Sequence, residues 1–235
     1  MQWSHPDTLG DIPPPCRAHT ATLVDKKIVI IGGGEGPVYY NDIYVLDTLT
    51  RTWSRPHFPA APPSPDPEAA SMRPTVSDID PTRPPPVPPP RRAHTAVLYR
   101  GKIWVFGGGN GTQALNDLWT LEVGHNAAVE KMKWELVTTS GKMPSPRGYH
   151  TANLVGNVMV VMGGSDGKEC FSDIWCLNLG ARRFSASMGR MLESADGRSH
   201  LRFAGLEPGQ ATDVISPTIA HCYASWIVPI HLGRT

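Results

Sequence analysis

Residues 91–119 read RRAHTAVLYRGKIWVFGGGNGTQALNDLW, and two close variants stand elsewhere in the chain, RAHTATLVDKKIVIIGGGEGPVYYNDIY at 17–44 and RGYHTANLVGNVMVVMGGSDGKECFSDIW at 147–175. A catalytic motif is normally written once, whereas a motif written three times is a building unit. Its internal spacing is constant. From the His to the first Gly of the glycine run is 13 residues in each copy (His19 to Gly32, His94 to Gly107, His150 to Gly163), and from that Gly to the acidic residue is 10 (Asp42, Asp117, Asp173). An indole follows Asp42 by 11 residues at Trp53 and Asp117 by 17 at Trp134, the longer spacing containing the polar stretch GHNAAVEK.

Each copy splits into four strand-like pieces separated by turn signals. In the middle copy HTAVLY alternates, KIWVF is a short apolar run stopped by Gly-Gly-Gly, DLWTLEV alternates again, and KWELV carries the Trp. Four short strands per unit, repeated in tandem with no helical period, predict an all-β chain of four-stranded antiparallel meanders arranged radially.

The units resemble kelch repeats, the blades of a β-propeller. The resemblance rests on the Arg-x-(x)-His-Thr-Ala opening, the apolar strand closed by Gly-Gly, the Asn/Ser-Asp-aromatic strand and the later Trp, and it covers roughly residues 1 to 180 apart from a proline-rich insert. The paired glycines (Gly32 and Gly33, Gly107 and Gly108, Gly163 and Gly164) lack Cβ and admit a neighbouring strand or Trp face. Trp53 and Trp134 supply apolar area that a lone blade cannot bury by itself. The repeated His and Asp are expected to tie strands and turns through hydrogen bonds to backbone groups. The three histidines occupy equivalent places in their own units, so they read as local hydrogen-bonding residues and not as a metal ring; neither metal nor cofactor is expected.

The set of blades is incomplete. QWSHPDTLGDIPPPCR follows the plan of KWELVTTSGKMPSPR, so residues 1–16 read as the outer strand, marked by Trp3, of a preceding blade. Blades are expected at 17–55, 91–138 and 147–184; the last strand of the third is in doubt, with Phe184 where Trp is expected, and 185–235 carry no repeat signal and read as a poorly ordered tail. About three blades fall short of the roughly four to eight with which propellers close. The chain therefore reads as a fragment or variant of a longer kelch protein, with an open or self-assembling arrangement as the alternative. Between Pro56 and Pro90, 14 of 35 residues are proline, a density that predicts a disordered, extended insert outside the core.

The totals exclude several classes. A net charge of +1 with 18% charged residues does not suggest nucleic acid or an anionic membrane as the main partner. The apolar runs IVII and VMVVM are strand-sized, far below a membrane span. The start MQWSHPDTLG shows no secretory pattern, and the four cysteines show no paired metal or disulfide spacing, so a reduced cytoplasmic protein is expected. No Lys-Ser/Thr follows the glycine runs as a phosphate loop requires.

In such a meander the loop between the second and third strands leaves from the same end as the blade-to-blade connection. That end gathers GEGPVYY at 34–40, GNGTQAL at 109–115, SDGKECF at 165–171 and the connections ending at Arg17, Arg92 and Arg147. Likeness to peptide-binding kelch proteins makes these three arginines an arc for acidic or phosphorylated segments, with Tyr39, Tyr40, Asn110, Gln113, Asp166 and Lys168 as further contact candidates. The competing reading of each Arg is a local anchor, and that of the tyrosines is packing beneath the loop. The proline-rich insert suits an SH3 or WW domain. The expected function is therefore a non-catalytic scaffold for other proteins, with roles in cell polarity, the cytoskeleton or traffic implied by the resemblance. The alternatives are a copper-radical oxidase similar to galactose oxidase, for which only the adjacent Cys222-Tyr223 speaks, and a truncated propeller without independent function.

Overall fold

The computed structural model describes residues 2–58, 87–187, 190–193 and 199–202, and it is built from strands apart from one short 3-10 turn at Val129–Lys131. The chain divides into two units, Met1–Ala186 and Ser187–Thr235.

The first unit carries three meanders. Strands β1 (Leu9–Gly10), β2 (Thr20–Val24), β3 (Lys27–Ile31), β6 (Ile43–Asp47) and β7 (Thr52–Ser54) form one sheet in the order β1-β7-β6-β3-β2. A small hairpin, β4 (Gly34–Glu35) with β5 (Val38–Tyr39), stands on its β3–β6 loop. The second sheet runs β8 (Thr95–Tyr99), β9 (Lys102–Gly109), β10 (Ala114–Glu122), β11 (Lys133–Leu136), and the third β12 (Thr151–Val155), β13 (Val158–Met162), β14 (Ile174–Asn178), β15 (Arg183–Ser187). Within each, the four meander strands pair in chain order, and in the first sheet β1 is added in parallel beside β7. In the second unit, β16 (Arg190–Glu193) and β17 (Ser199–Arg202) pair as an antiparallel hairpin.

The expected doubtful strand of the third blade is present: β15 completes the sheet, and Phe184 is buried in the place of the Trp. Residues 1–16 do not stand apart as a strand of another blade. Leu9–Gly10 pairs in parallel with Thr52–Trp53 of the first blade, and Trp3 is 91% exposed. The connection between the second and third blades repeats this, Ser140 lying in parallel register with Arg183.

The second strand of the middle blade is apolar at nearly every position because both of its faces meet a neighbour. Val29, Ile31, Ile43 and Val45 of the first blade pack with Ile103, Val105, Trp119, Leu121 and Trp134 of the second. The other face of the second blade (Val97, Trp104, Phe106, Leu118) packs with Met159, Val161, Trp175, Leu177 and Phe184 of the third. Burying each such side chain contributes about 1.5–3 kcal/mol, so the junctions hold most of the stability of this unit. The ends of the proline-rich insert join them. Pro56 and Pro88 are buried, Val87 packs on the first junction, and Phe58 lies 6.5 Å from the Trp134 ring. The expectation that all of 56–90 is outside the core therefore fails at its two ends, where Phe and Val give the chain apolar anchors; 59–86, and the tail beyond 202 with Cys222-Tyr223, lie outside the described residues.

Candidate protein-interaction surface

The glycine pairs set the geometry of the loop end. Gly32, Gly107 and Gly163 have φ near +60° and Gly33, Gly108 and Gly164 near +95°, values that favour residues without Cβ. A Cβ on Gly108 would stand 2.7 Å from the Arg92 carbonyl and 2.9 Å from the His94 Cβ of its own blade. A Cβ on Gly107 would stand 2.7 Å from the Arg147 carbonyl of the next. The glycines therefore admit backbone on both sides, their own blade's opening segment on one and the neighbour's on the other.

That neighbouring segment is held by main-chain bonds. Gly33 N–H donates to the Arg91 carbonyl at 2.9 Å and Arg91 N–H to the Tyr40 carbonyl at 3.0 Å; Gly108 N–H and Arg147 N–H repeat this with Arg147 and Leu115, each at 2.8 Å. The openings are also laddered to one another: Ala93 N–H donates to the Ala18 carbonyl and Tyr149 N–H to the Ala93 carbonyl, both at 2.9 Å.

In the second and third blades the repeated His hooks the preceding blade through a Thr side chain. His94 Nε2 meets Thr20 Oγ1 at 3.0 Å, and His150 Nε2 meets Thr95 Oγ1 at 2.7 Å. Burial, with the adjacent Arg91 adding to it, lowers the pKa of His94 to about 3; burial and Arg147 lower that of His150 to about 4. Both rings are neutral at physiological pH. His19, at the first blade, is exposed, with Nδ1 3.4 Å from Cys16 Sγ.

The repeated Asp likewise engages side chains. Arg91 donates to both carboxylate oxygens of Asp117 at 2.8 Å, and Trp119 Nε1 donates to Oδ2 at 2.6 Å. Arg147 donates to Asp173 at 2.5 and 3.0 Å, with Trp175 Nε1 at 2.6 Å. Burial raises the pKa of Asp173, but the bonds from Arg147 and Trp175 outweigh it and the net shift is downward. In the first blade Cys16 stands where the buried arginines stand, and Asp42 is instead paired with Arg55, whose guanidinium lies over the Tyr44 ring. Counting back from the His separates the arginines: Arg91 and Arg147 stand three residues before it, Arg17 and Arg92 two.

This register decides which candidates reach solvent. Arg147 is fully buried and bonded, so the arc of three arginines is not formed: Arg147 is the counterpart of Arg91, one position out of step with Arg17 and Arg92. Arg17 is exposed. Arg92 is held, its Nη1 donating to the Gly36 carbonyl at 3.1 Å and its guanidinium 4.4 Å from the Tyr39 ring, and Gly111 of the next loop lies against that same ring. Tyr39 thus ties the loops of two blades together, while Tyr40 contributes its carbonyl to the first junction. The carboxamide oxygen of Asn110 accepts from Thr112 and Gln113 N–H groups, and the Asp166 carboxylate from Glu169 and Lys168 N–H groups. Those bonds, Glu169's foremost, lower the Asp166 pKa. Both residues shape their loops, leaving the side chains of Gln113 and Lys168 exposed.

One exposed group escaped the sequence reading. Tyr149 is 72% exposed at φ +57°, a position filled by Ala18 and Ala93 in the other blades. Its signal was available: an aromatic where the other repeats have Ala, immediately before the His. Arg17, Tyr39, Gln113, Tyr149 and Lys168 therefore share the loop end. The opposite end is fixed by Val123 and Gly124 N–H groups donating to the Gly101 carbonyl, each at 2.9 Å, which puts the lengthened loop of the second blade there.

The KLHDC2/KLHL20/DRC7 Kelch-repeats domain profile matches residues 1–77 and 75–194. Among curated proteins the chain is 31% identical over 212 residues to host cell factor 2 of Homo sapiens (69% of this chain, 26% of that protein). It is also 31% identical over 179 residues to host cell factor of Drosophila melanogaster (68% of this chain, 10% of that protein). With acyl-CoA-binding domain-containing protein 5 of Arabidopsis thaliana it shares 28% over 185 residues (78% and 24%). The chain thus spans about a quarter or less of the length of these relatives.

Proposed function

The chain belongs to the kelch-repeat family, and from that premise we propose that it is a cytoplasmic, non-catalytic scaffold that binds another protein through the loop end of its blades. The observation that carries this reading is the exposed set Arg17, Gln113, Tyr149 and Lys168, presented by three blades whose own contacts hold the backbone beneath it rigid. Tyr149 offers a large amphipathic ring with few rotatable bonds, the kind of residue that dominates interface energetics. Arg17 and Lys168 add positive charge, which favours an acidic or phosphorylated segment. The proline-rich insert serves as a second docking element, for an SH3 or WW domain. The processes we put first for such a scaffold are cell polarity, cytoskeletal organisation and vesicle traffic. Among the described residues no helix is long and apolar enough to cross a membrane.

The test is quantitative capture of partners by the full chain and by the Arg17→Glu/Tyr149→Ala double variant, with Arg51→Glu at the opposite end as control. The reading requires that specific partners fall at least about tenfold with the double variant and stay with the control, the size expected when one hot-spot residue is truncated. Equal capture by all three chains removes the loop end from the reading.

A further inference from the structure

The two blade junctions share a small cradle of main-chain groups. In the first blade it consists of Gly32, the Gly33 N–H, the Tyr40 carbonyl and Asn41, and it holds the extended segment Pro88–Arg91: Gly33 and Tyr40 bond the Arg91 peptide, and Asn41 Nδ2 donates to the Pro88 carbonyl at 3.2 Å. In the second blade Gly107, Gly108, Leu115 and Asn116 hold Pro144–Arg147 in the same way, Asn116 Nδ2 donating to the Pro144 carbonyl at 3.2 Å. The occupants read PPPR and PSPR. Proline suits them because only the residues with carbonyls and the one N–H at the Arg take part, and Pro pre-sets the extended conformation at low entropic cost.

The third blade has the same cradle. Gly163 N–H donates to the Asp173 carbonyl as Gly32 does to Asp42, and Phe171 N–H donates to the Gly164 carbonyl as Tyr40 does to Gly33. Gly163 and Gly164 have φ of +63° and +95° against +61° and +96° in the first blade. Ser172 replaces the Asn and keeps a donor. The difference is in what fills it. A Cβ on Gly32 or Gly107 would meet the occupant's carbonyl at 2.7 Å and its His ring at 3.1 Å, whereas among the described residues a Cβ on Gly163 would meet only the Phe171 carbonyl, at 3.2 Å. Both glycines are half-exposed here and buried in the other two blades.

We propose that the cradle formed by Gly163, Gly164, Phe171 and Ser172 is a binding site for an extended Pro-x-Pro-Arg segment of another protein. A separate short segment is favoured over a whole docking blade by the apolar face beneath the cradle. Val160, Ile174 and Cys176, which correspond to Val29, Ile43 and Val45 that the first blade presents to the second, are already buried, and only Met162, the counterpart of Ile31, is half-buried. A segment that uses only main-chain bonds at the loop end does not need that face. This site is distinct from the Arg17–Tyr149 surface, and one can fail without the other.

The test uses the full chain and a labelled synthetic peptide of sequence PPPRRAH, identical to residues 88–94. Fluorescence anisotropy is expected to show saturable binding. N-methylation of the peptide's first Arg nitrogen, which removes the hydrogen donated to the Phe171 carbonyl, is expected to weaken it at least about tenfold, the loss of a buried main-chain bond with its acceptor left unsatisfied. Gly163→Ala, which the blade itself can accommodate because Ala18 and Ala93 already hold φ +56°, is expected to keep the circular dichroism spectrum and lose binding to a similar degree. No saturable binding, or binding indifferent to N-methylation, overturns the proposal whether or not the glycine variant folds. So does a peptide whose sole effect is to dissociate self-associated chains, which would make a second copy the occupant.

Discussion

His94 of the second blade and Thr20 of the first are joined by a hydrogen bond of 3.0 Å across the blade junction, and the neutral imidazole that makes it is buried. His150 and Thr95 repeat the arrangement at the second junction. Each junction thus contains, beside its apolar packing and main-chain bonds, a neutral histidine whose protonation would place a charge inside an apolar seam.

Acid should therefore weaken the junctions well before it titrates the paired carboxylates. The folded pKa values, about 3 and about 4, lie below the ordinary His value of 6.5, so the unfolded chain binds more protons between those limits. The contribution is fully present above pH 6.5 and declines as pH falls through the window at roughly 1.4 kcal/mol per pH unit for each ring. Thermal unfolding followed by circular dichroism from pH 7 to 4.5 should show a falling midpoint, and His94→Gln should shallow that dependence. A midpoint flat across this range contradicts the neutral-hook account.

The buried and exposed versions of one ion pair should differ sharply in worth. Arg91 is 1% exposed beside Asp117, whereas Arg55 is 49% exposed beside Asp42. Arg91→Met removes the guanidinium from a low-dielectric site and is expected to cost about 3 kcal/mol. Arg55→Met is expected to cost less than about 1 kcal/mol because water screens the pair. In a folded unit of this size the first corresponds to a midpoint drop of about 6–12 °C and the second to no more than a few degrees.

The glycines should divide by junction. Gly107→Ala puts a methyl 2.7 Å from the Arg147 carbonyl, backbone that cannot step aside, and is expected to cost about 2–4 kcal/mol. Gly163→Ala, which among the described residues meets only the Phe171 carbonyl at 3.2 Å, is expected to cost about 1 kcal/mol, chiefly for the left-handed conformation. Urea unfolding of the two variants measures the difference directly.

How far the sequence foretold this follows from what each signal depends on. The His-to-Gly and Gly-to-Asp spacings were readable because they are the lengths of strands joined by tight turns; Arg100–Gly101, both at positive φ, closes β8 onto β9 in two residues. The glycine pairs were readable because the second of each holds φ near +95° with backbone so close that a Cβ would stand within 2.7–3.0 Å of it. The arginines were misread because Arg91 and Arg92 are adjacent and only the third repeat, with Gly148 after Arg147, shows which of the two is the buried one. The Thr hook was hidden because its partners are 74 and 55 residues apart. The fourth strand of the third blade was in doubt because Phe184 replaces the Trp, yet a Phe fills the same apolar seat against Phe106 at 5.5 Å.

The most direct test of a functional loop end is site-specific photo-crosslinking in the full chain. A photoreactive residue is placed in turn at Gln113 and Lys168 on one end and at Arg51 and Asn126 on the other, all four exposed. The account expects discrete adducts with other proteins at Gln113 and Lys168 that are suppressed by Tyr149→Ala, and none above background at Arg51 and Asn126. Adducts confined to Arg51 and Asn126 would contradict it and move the binding surface to the opposite end of the blades.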